Sequence, residues 1–149
     1  MSASQFGSRF QIHTFGESHG VALGVVIDGC PAGLDFDFEF LRNELQRRRP
    51  GLQVGTSARQ EMDEPEVLSG IFEGRTLGTP IAIVVKNSDA RSKDYEDIKA
   101  NPRAGHADDV WKKKFGHSDH RGGGRSSGRE TVARVMGGAV AKMLLKKIY

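Results

Sequence analysis

Cysteine is nearly missing from this sequence of 149 residues: Cys30 stands alone, which excludes an internal disulfide and a cysteine-ligated metal cluster. Long apolar runs are missing too. No stretch approaches the roughly 20 apolar residues of a membrane span, and the opening MSASQFGSRF lacks the apolar core of a secretory leader. These absences predict a soluble, cytoplasmic protein with no membrane partner. Charge is close to balanced, 22 basic residues against 19 acidic for a net +3, too mild to argue for nucleic acid. The basic stretch 112–129 offers only Trp111 and Phe115 for stacking on bases, and no nucleic-acid partner is expected. Walker and G-x-G-x-x-G patterns are absent, because RGGGRSSG lacks the Lys-Ser/Thr of a P-loop.

What remains is the composition of one ordinary globular domain, 37% hydrophobic and 28% charged. RFQIHTF alternates and reads as a strand, VALGVVIDG as a second, and the turn GESHG between them makes the pair a hairpin. CPAGLD leads into a helix that Asp35 or Asp37 can cap, with Phe38, Leu41 and Leu45 as its inner stripe. Pro50 and Gly51 of RRRPG end it. Residues 52–64 are polar and irregular; VLSGIFEG and TPIAIVVKN then read as two strands separated by the turn EGRTLG. A short helix is expected at about 107–115. Val132, Val135, Met136, Ala139, Val140, Met143 and Leu144 fall on one face of a final helix. Strands arriving in hairpin-like pairs between helices predict a mixed α+β layered domain, not a Rossmann sheet.

Chemistry-bearing residues gather on turns, in four clusters: Glu17-Ser18-His19, Arg47-Arg48-Arg49, Arg103 to Asp108, and the loop HRGGGRSSGRE. Glycines beside His19 and His106 leave these histidines little packing role, and an unperturbed imidazole, pKa about 6.5, exchanges protons at neutral pH. The loop before the final helix joins bare glycine backbone to Arg121, Arg125 and Arg129. It is either a seat for phosphate or a solvated basic turn. Three consecutive arginines at a helix end exceed what the helix dipole requires and suit a multiply charged anion. A metal site from His117, Asp119 and His120 is disfavoured by the surrounding cations, and none is assigned. Ser18 and His19 are adjacent in sequence and so point apart, which disfavours a serine hydrolase. Two proton donors and two anion sites fit acid-assisted elimination or transfer on a phosphorylated small molecule.

In order and spacing, FGESHG, IDGCPAGL, RRRPG, LSGIFEGRTLGTPIAIVVKN, RAGHAD and RGGGRSSGRETVARV make the chain resemble chorismate synthase, from about Phe6 to Leu145. The resemblance implies a β-α-β sandwich and a homotetramer of cytoplasmic subunits. It also implies a lyase of the shikimate pathway, in aromatic amino acid biosynthesis. Such an enzyme eliminates phosphate from 5-enolpyruvylshikimate 3-phosphate, using reduced FMN without net redox change. By the same resemblance His19 protonates the departing phosphate and His106 keeps the reduced flavin in its proper protonation state. Ser18, Arg48, Arg49 and Arg129 are implied in substrate binding, and Arg125, Ser126, Ser127 and Arg48 in cofactor binding.

NADPH enters only as a flavin reductant. Val54, where many members carry an arginine that contacts NADPH, weakens a bifunctional reading. Family members run longer, so residues 1–149 are expected to be the N-terminal portion of the domain, apparently truncated. Consistently, the final helix's apolar face still runs at Leu145 and Ile148. The alternative expectation is a non-catalytic remnant or anion-binding module.

Overall fold

The structure, a computed structural model, describes residues 4–48, 62–88, 105 and 108–149. Its centre is an antiparallel sheet of five strands. β1 (Gln5–Gly7), β2 (Gln11–Phe15) and β3 (Ala22–Asp28) run consecutively; β7 (Ile81–Lys86) lies beside β3, and β4 (Pro65–Val67) closes the far edge. β2 and β3 form the expected hairpin, Gln11 opposite Asp28 and Phe15 opposite Gly24. Strand alternation decides the inner face: Leu23, Val25 and Ile27 of β3 and Ile81, Ile83 and Val85 of β7 are fully buried. Against them pack α1 (Phe38–Arg47), through Leu41 and Leu45, and the final helix α3 (Thr131–Ile148), through Val132, Met136, Ala139, Val140 and Met143. Burying each of these Leu, Ile, Val and Met side chains stabilises the fold by about 1.5–3 kcal/mol. One sheet covered by a helical layer is the α+β arrangement expected.

Two close approaches set the layer spacing. A Cβ on Gly137 would meet Ile12 Cγ2 at 2.8 Å, so glycine lets α3 settle onto β2. On the opposite face the Phe15 ring lies over Gly24, where a Cβ would meet Phe15 Cζ at 2.3 Å.

Several local expectations are resolved or corrected. Asp37 caps α1, its Oδ1 accepting from the Phe40 N–H at 2.8 Å, while Asp35 pairs with Arg75. Phe38 is 42% exposed; the buried aromatic is Phe36, packed edge-on against it at 4.8 Å. VLSGIFEG is not one strand, because Gly70 at φ +81° turns the chain between β4 and β5 (Ile71–Phe72). β5 then pairs with β6 (Arg75–Thr76) as a separate two-stranded ribbon. The short helix α2 spans Asp108–Phe115, and two 3₁₀ segments, Arg121–Ser126 and Gly128–Glu130, lead into α3.

Candidate functional site

The β2–β3 turn carries Ser18 and His19, and both are buried. Gly16 sits at φ +89°, with a Cβ position only 2.1 Å from the Ala22 carbonyl, so the turn can begin only on glycine. Within the turn the Gly20 N–H donates to the Glu17 carbonyl at 3.0 Å. From outside, the Asn87 Nδ2 donates to the carbonyls of Glu17 (3.1 Å) and Gly20 (2.8 Å). The Ser18 N–H donates to the Gly124 carbonyl at 3.2 Å, joining this turn to the glycine loop.

Next to the turn, one carboxylate holds two arginines. Asp63, its side chain 0% exposed, accepts from Arg48 Nη1 at Oδ2 and from Arg129 Nη1 at Oδ1, both at 2.6 Å. Arg48 comes from the end of α1 and is 17% exposed; Arg129 comes from the 3₁₀ turn before α3 and is 5% exposed. Two guanidiniums meet one carboxylate here in a largely dehydrated place. Burial therefore pushes the Arg48 guanidinium down from its ordinary value; Asp63 opposes that shift and Arg129 reinforces it. Arg129 Nε also donates to Asn87 Oδ1 at 3.1 Å, so the cluster and the Ser18–His19 turn share one asparagine.

A second carboxylate, Glu130, bonds Thr14 Oγ1 (2.7 Å), Arg125 Nη2 (3.3 Å) and Arg134 Nε (3.0 Å). Arg125 also donates to the Gly16 and Thr14 carbonyls and to the hydroxyls of Ser4 and Thr14. Beside it opens a cavity of about 570 Å³ whose wall includes Glu17, Trp111, Phe115, His120, Arg125 and Ser126. Trp111 and Phe115 stack there with ring centroids 5.2 Å apart. At the same wall Asp119 takes a bidentate pair from Arg121, which holds its carboxyl below the usual carboxylate range and raises Arg121 in turn. Gly124 must be glycine here, since its Cβ would meet the Asp119 carbonyl at 2.7 Å.

The expected site residues thus divide. Ser18, His19, Arg48 and Arg129 come together through Asn87 and Asp63. Arg125 and Ser126 border the cavity, Ser126 donating to the Gly123 carbonyl at 2.6 Å. The Ser127 hydroxyl accepts from the Arg129 N–H at 3.3 Å and so caps the last 3₁₀ turn. His106 and Arg49 lie outside the described residues. Asp63, Asn87, Thr14 and Glu130 were not anticipated. Only Glu130 carried a signal, the Ser-x-x-Glu spacing of a capping box from Ser127, and its carboxylate instead turns to Thr14 and the arginines. Among the described residues no group of three or more His, Cys, Asp or Glu is placed to hold a metal ion, and no helix is long and apolar enough to cross a membrane.

Comparison with known proteins bears on this arrangement directly. The chain is 70% identical to a chorismate synthase of Bdellovibrio bacteriovorus over 99% of its own length and 44% of the relative's. It is 57% identical to one of Magnetococcus marinus, over 99% and 41%. A crystal structure of chorismate synthase superposes with a TM-score of 0.68 at 34% identity, covering 94% of this chain and 35% of the other. The chain therefore spans less than half the length of the relatives it matches. The chorismate synthase family model matches residues 10–149. With nearly every residue inside that match, the chain belongs to the chorismate synthase family.

Proposed function

We propose that this chain supplies the phosphate-releasing part of a chorismate synthase active site. In this reading it takes part in a 1,4-anti elimination that converts 5-enolpyruvylshikimate 3-phosphate to chorismate and phosphate. The observation that carries the reading is the Arg48–Asp63–Arg129 cluster: two largely buried guanidiniums converge on one carboxylate beside the Ser18–His19 turn, donor chemistry suited to an anionic ligand. Arg48 and Arg129, with Arg49 and the Ser18 hydroxyl, hold the anionic groups of the substrate. His19, carried on the adjoining turn, gives its proton to the phosphate oxygen as the C–O bond breaks. Burial of Ser18 and His19 keeps bulk water from competing for that proton.

Reduced FMN fits the cavity beside this turn. The volume lies within the range of ligand sites, the stacked Trp111–Phe115 pair offers an aromatic wall, and Arg125, Ser126 and Ser127 form the loop that borders it. Arg48 is the arginine shared between cofactor and substrate, and His106 is assigned to the flavin's protonation state. When bound, reduced flavin supplies transient electron density to a reaction with no net redox change. NADPH is a reductant of that flavin only. The proposal includes a homotetrameric assembly in the cytoplasm.

A second reading, an anion-binding module without turnover, rests on the same two arginines at Asp63. One experiment separates the two. Residues 1–149, alone and joined to the part of that relative outside the match, are given reduced FMN and 5-enolpyruvylshikimate 3-phosphate without oxygen, and chorismate absorbance is followed. Turnover by the joined chain is expected, with weak FMN binding and no turnover by residues 1–149 alone. A joined chain that binds phosphate yet makes no chorismate leaves the anion-binding module.

A further inference from the structure

Asn87 immediately follows β7, and its backbone N–H donates to the Val21 carbonyl at 3.1 Å, extending the β3–β7 ladder by one bond. The side chain is therefore delivered from the rigid centre of the sheet. Its three polar contacts admit one orientation only. The Glu17 and Gly20 carbonyls can only accept, so they face the amide nitrogen; Arg129 Nε can only donate, so it faces the amide oxygen. No other side chain of this size presents two donors and an acceptor in that fork. Aspartate keeps the shape and the acceptor for Arg129, but sets a carboxylate oxygen against two carbonyls. Glutamine is one methylene too long to serve all three at once.

From this geometry we infer that Asn87 is a positioning residue that fixes the distance between the proton donor His19 and the anion-holding Arg129. Both ends of the four-residue segment Glu17–Gly20 hang on one amide, and the same amide orients the guanidinium. A turn lacking these two bonds loses both of its side-chain ties to the end of β7. Its imidazole then samples more orientations, and a donor displaced by about 1 Å loses on the order of 100-fold in rate. The inference rests on the function proposed above for His19 and Arg129.

Asn87→Asp tests it, because the substitution breaks the turn side of the bridge and spares the Arg129 side. In the chain of residues 1–149, hydrogen exchange of the Gly20 amide should quicken at least about tenfold, while the Ile83 amide in the sheet stays within about twofold. Unchanged Gly20 exchange overturns the proposal whatever the activity. In the joined chain, kcat should fall roughly 10- to 100-fold with KM held within about threefold. The same substitution in a His19→Ala background should lower kcat by less than about twofold more, because its effect passes through His19. Equal losses in both backgrounds mean a general loss of fold and overturn the proposal, as does wild-type kcat in Asn87→Asp. Absence of turnover with Asn87 intact counts against the function reading alone, and the exchange result still decides the role of Asn87.

Discussion

Two carboxylates in this molecule each sit between two arginines, and the two clusters are chemically unlike. Glu130 is one of many partners: Arg125 finds backbone carbonyls and hydroxyls as well, and Arg134, 41% exposed, reaches water. Asp63 is the hub of its cluster. Arg48 and Arg129 converge on it from elements distant in sequence, and both are mostly withdrawn from solvent. The donors of Arg125 beside Glu130 are spread over several acceptors; at Asp63 two guanidiniums converge on one carboxylate beside the Ser18–His19 turn. An arginine that belongs to a phosphate-like motif is thus not by that fact a phosphate ligand. What decides is how many acceptors the fold already gives it.

The sharpest way to break the comparison is to neutralise each hub. Asp63→Asn removes the charge on which two largely buried guanidiniums converge and should destabilise the fold by about 3–5 kcal/mol in denaturant unfolding. Glu130→Gln should cost about 1–3 kcal/mol, since Arg125 keeps its carbonyls and hydroxyls. Equal losses would erase the distinction. A smaller effect concerns ligands: Arg48→Ala should weaken inorganic phosphate binding roughly 10- to 100-fold by calorimetric titration, because a charge-assisted bond is lost. Arg125→Lys should leave phosphate affinity within about twofold and instead lower stability by about 1–3 kcal/mol. Phosphate binding that depends on Arg125 more than on Arg48 would exchange the roles of the two clusters.

The least effect belongs to a third pair, Asp119–Arg121, which is more exposed than either buried hub. Hydrogen bonding from Arg121 holds the Asp119 carboxyl low, so the folded chain keeps this charge at pH values where the unfolded chain takes up a proton. The pair's stabilisation is complete above about pH 4 and is lost as pH falls through the lower native value. Asp119→Asn should lower stability by less than about 1 kcal/mol at pH 7. Measured against wild type, that difference should shrink as pH falls below about 4.

The layered fold was legible because it rests on periodicity: strand alternation in β2, β3 and β7 and the helical stripe from Val132 to Met143. Where a local rule left two candidates or fell two residues off, a specific contact decided it. Of Asp35 and Asp37 it is Asp37 that reaches the Phe40 N–H, and Phe36, not Phe38, turns inward. The site was legible as residue types on turns, since glycines at 16 and 124 announce close backbone approach. Its connections were not. Asp63 lies 15 residues from Arg48 and 66 from Arg129, and no local pattern marks an aspartate as their common acceptor. Asn87 ends an ordinary strand, and its partners lie 42, 67 and 70 residues away. The donors of Arg125 were visible in the sequence, but the Gly16 and Thr14 acceptors that fold onto them, 109 and 111 residues away, were not.

Trp111 is the chain's single indole, and it stands in the wall of the 570 Å³ cavity, stacked on Phe115. Its fluorescence therefore originates at that wall and at no other place in the fold. A planar chromophore entering the cavity comes within range to quench the emission, whereas a small colourless anion taken up at Asp63 absorbs none of it. Excitation at the red edge of the indole band thus gives the chain its own optical readout, which tells occupation of the cavity from occupation of the arginine cluster without any attached dye.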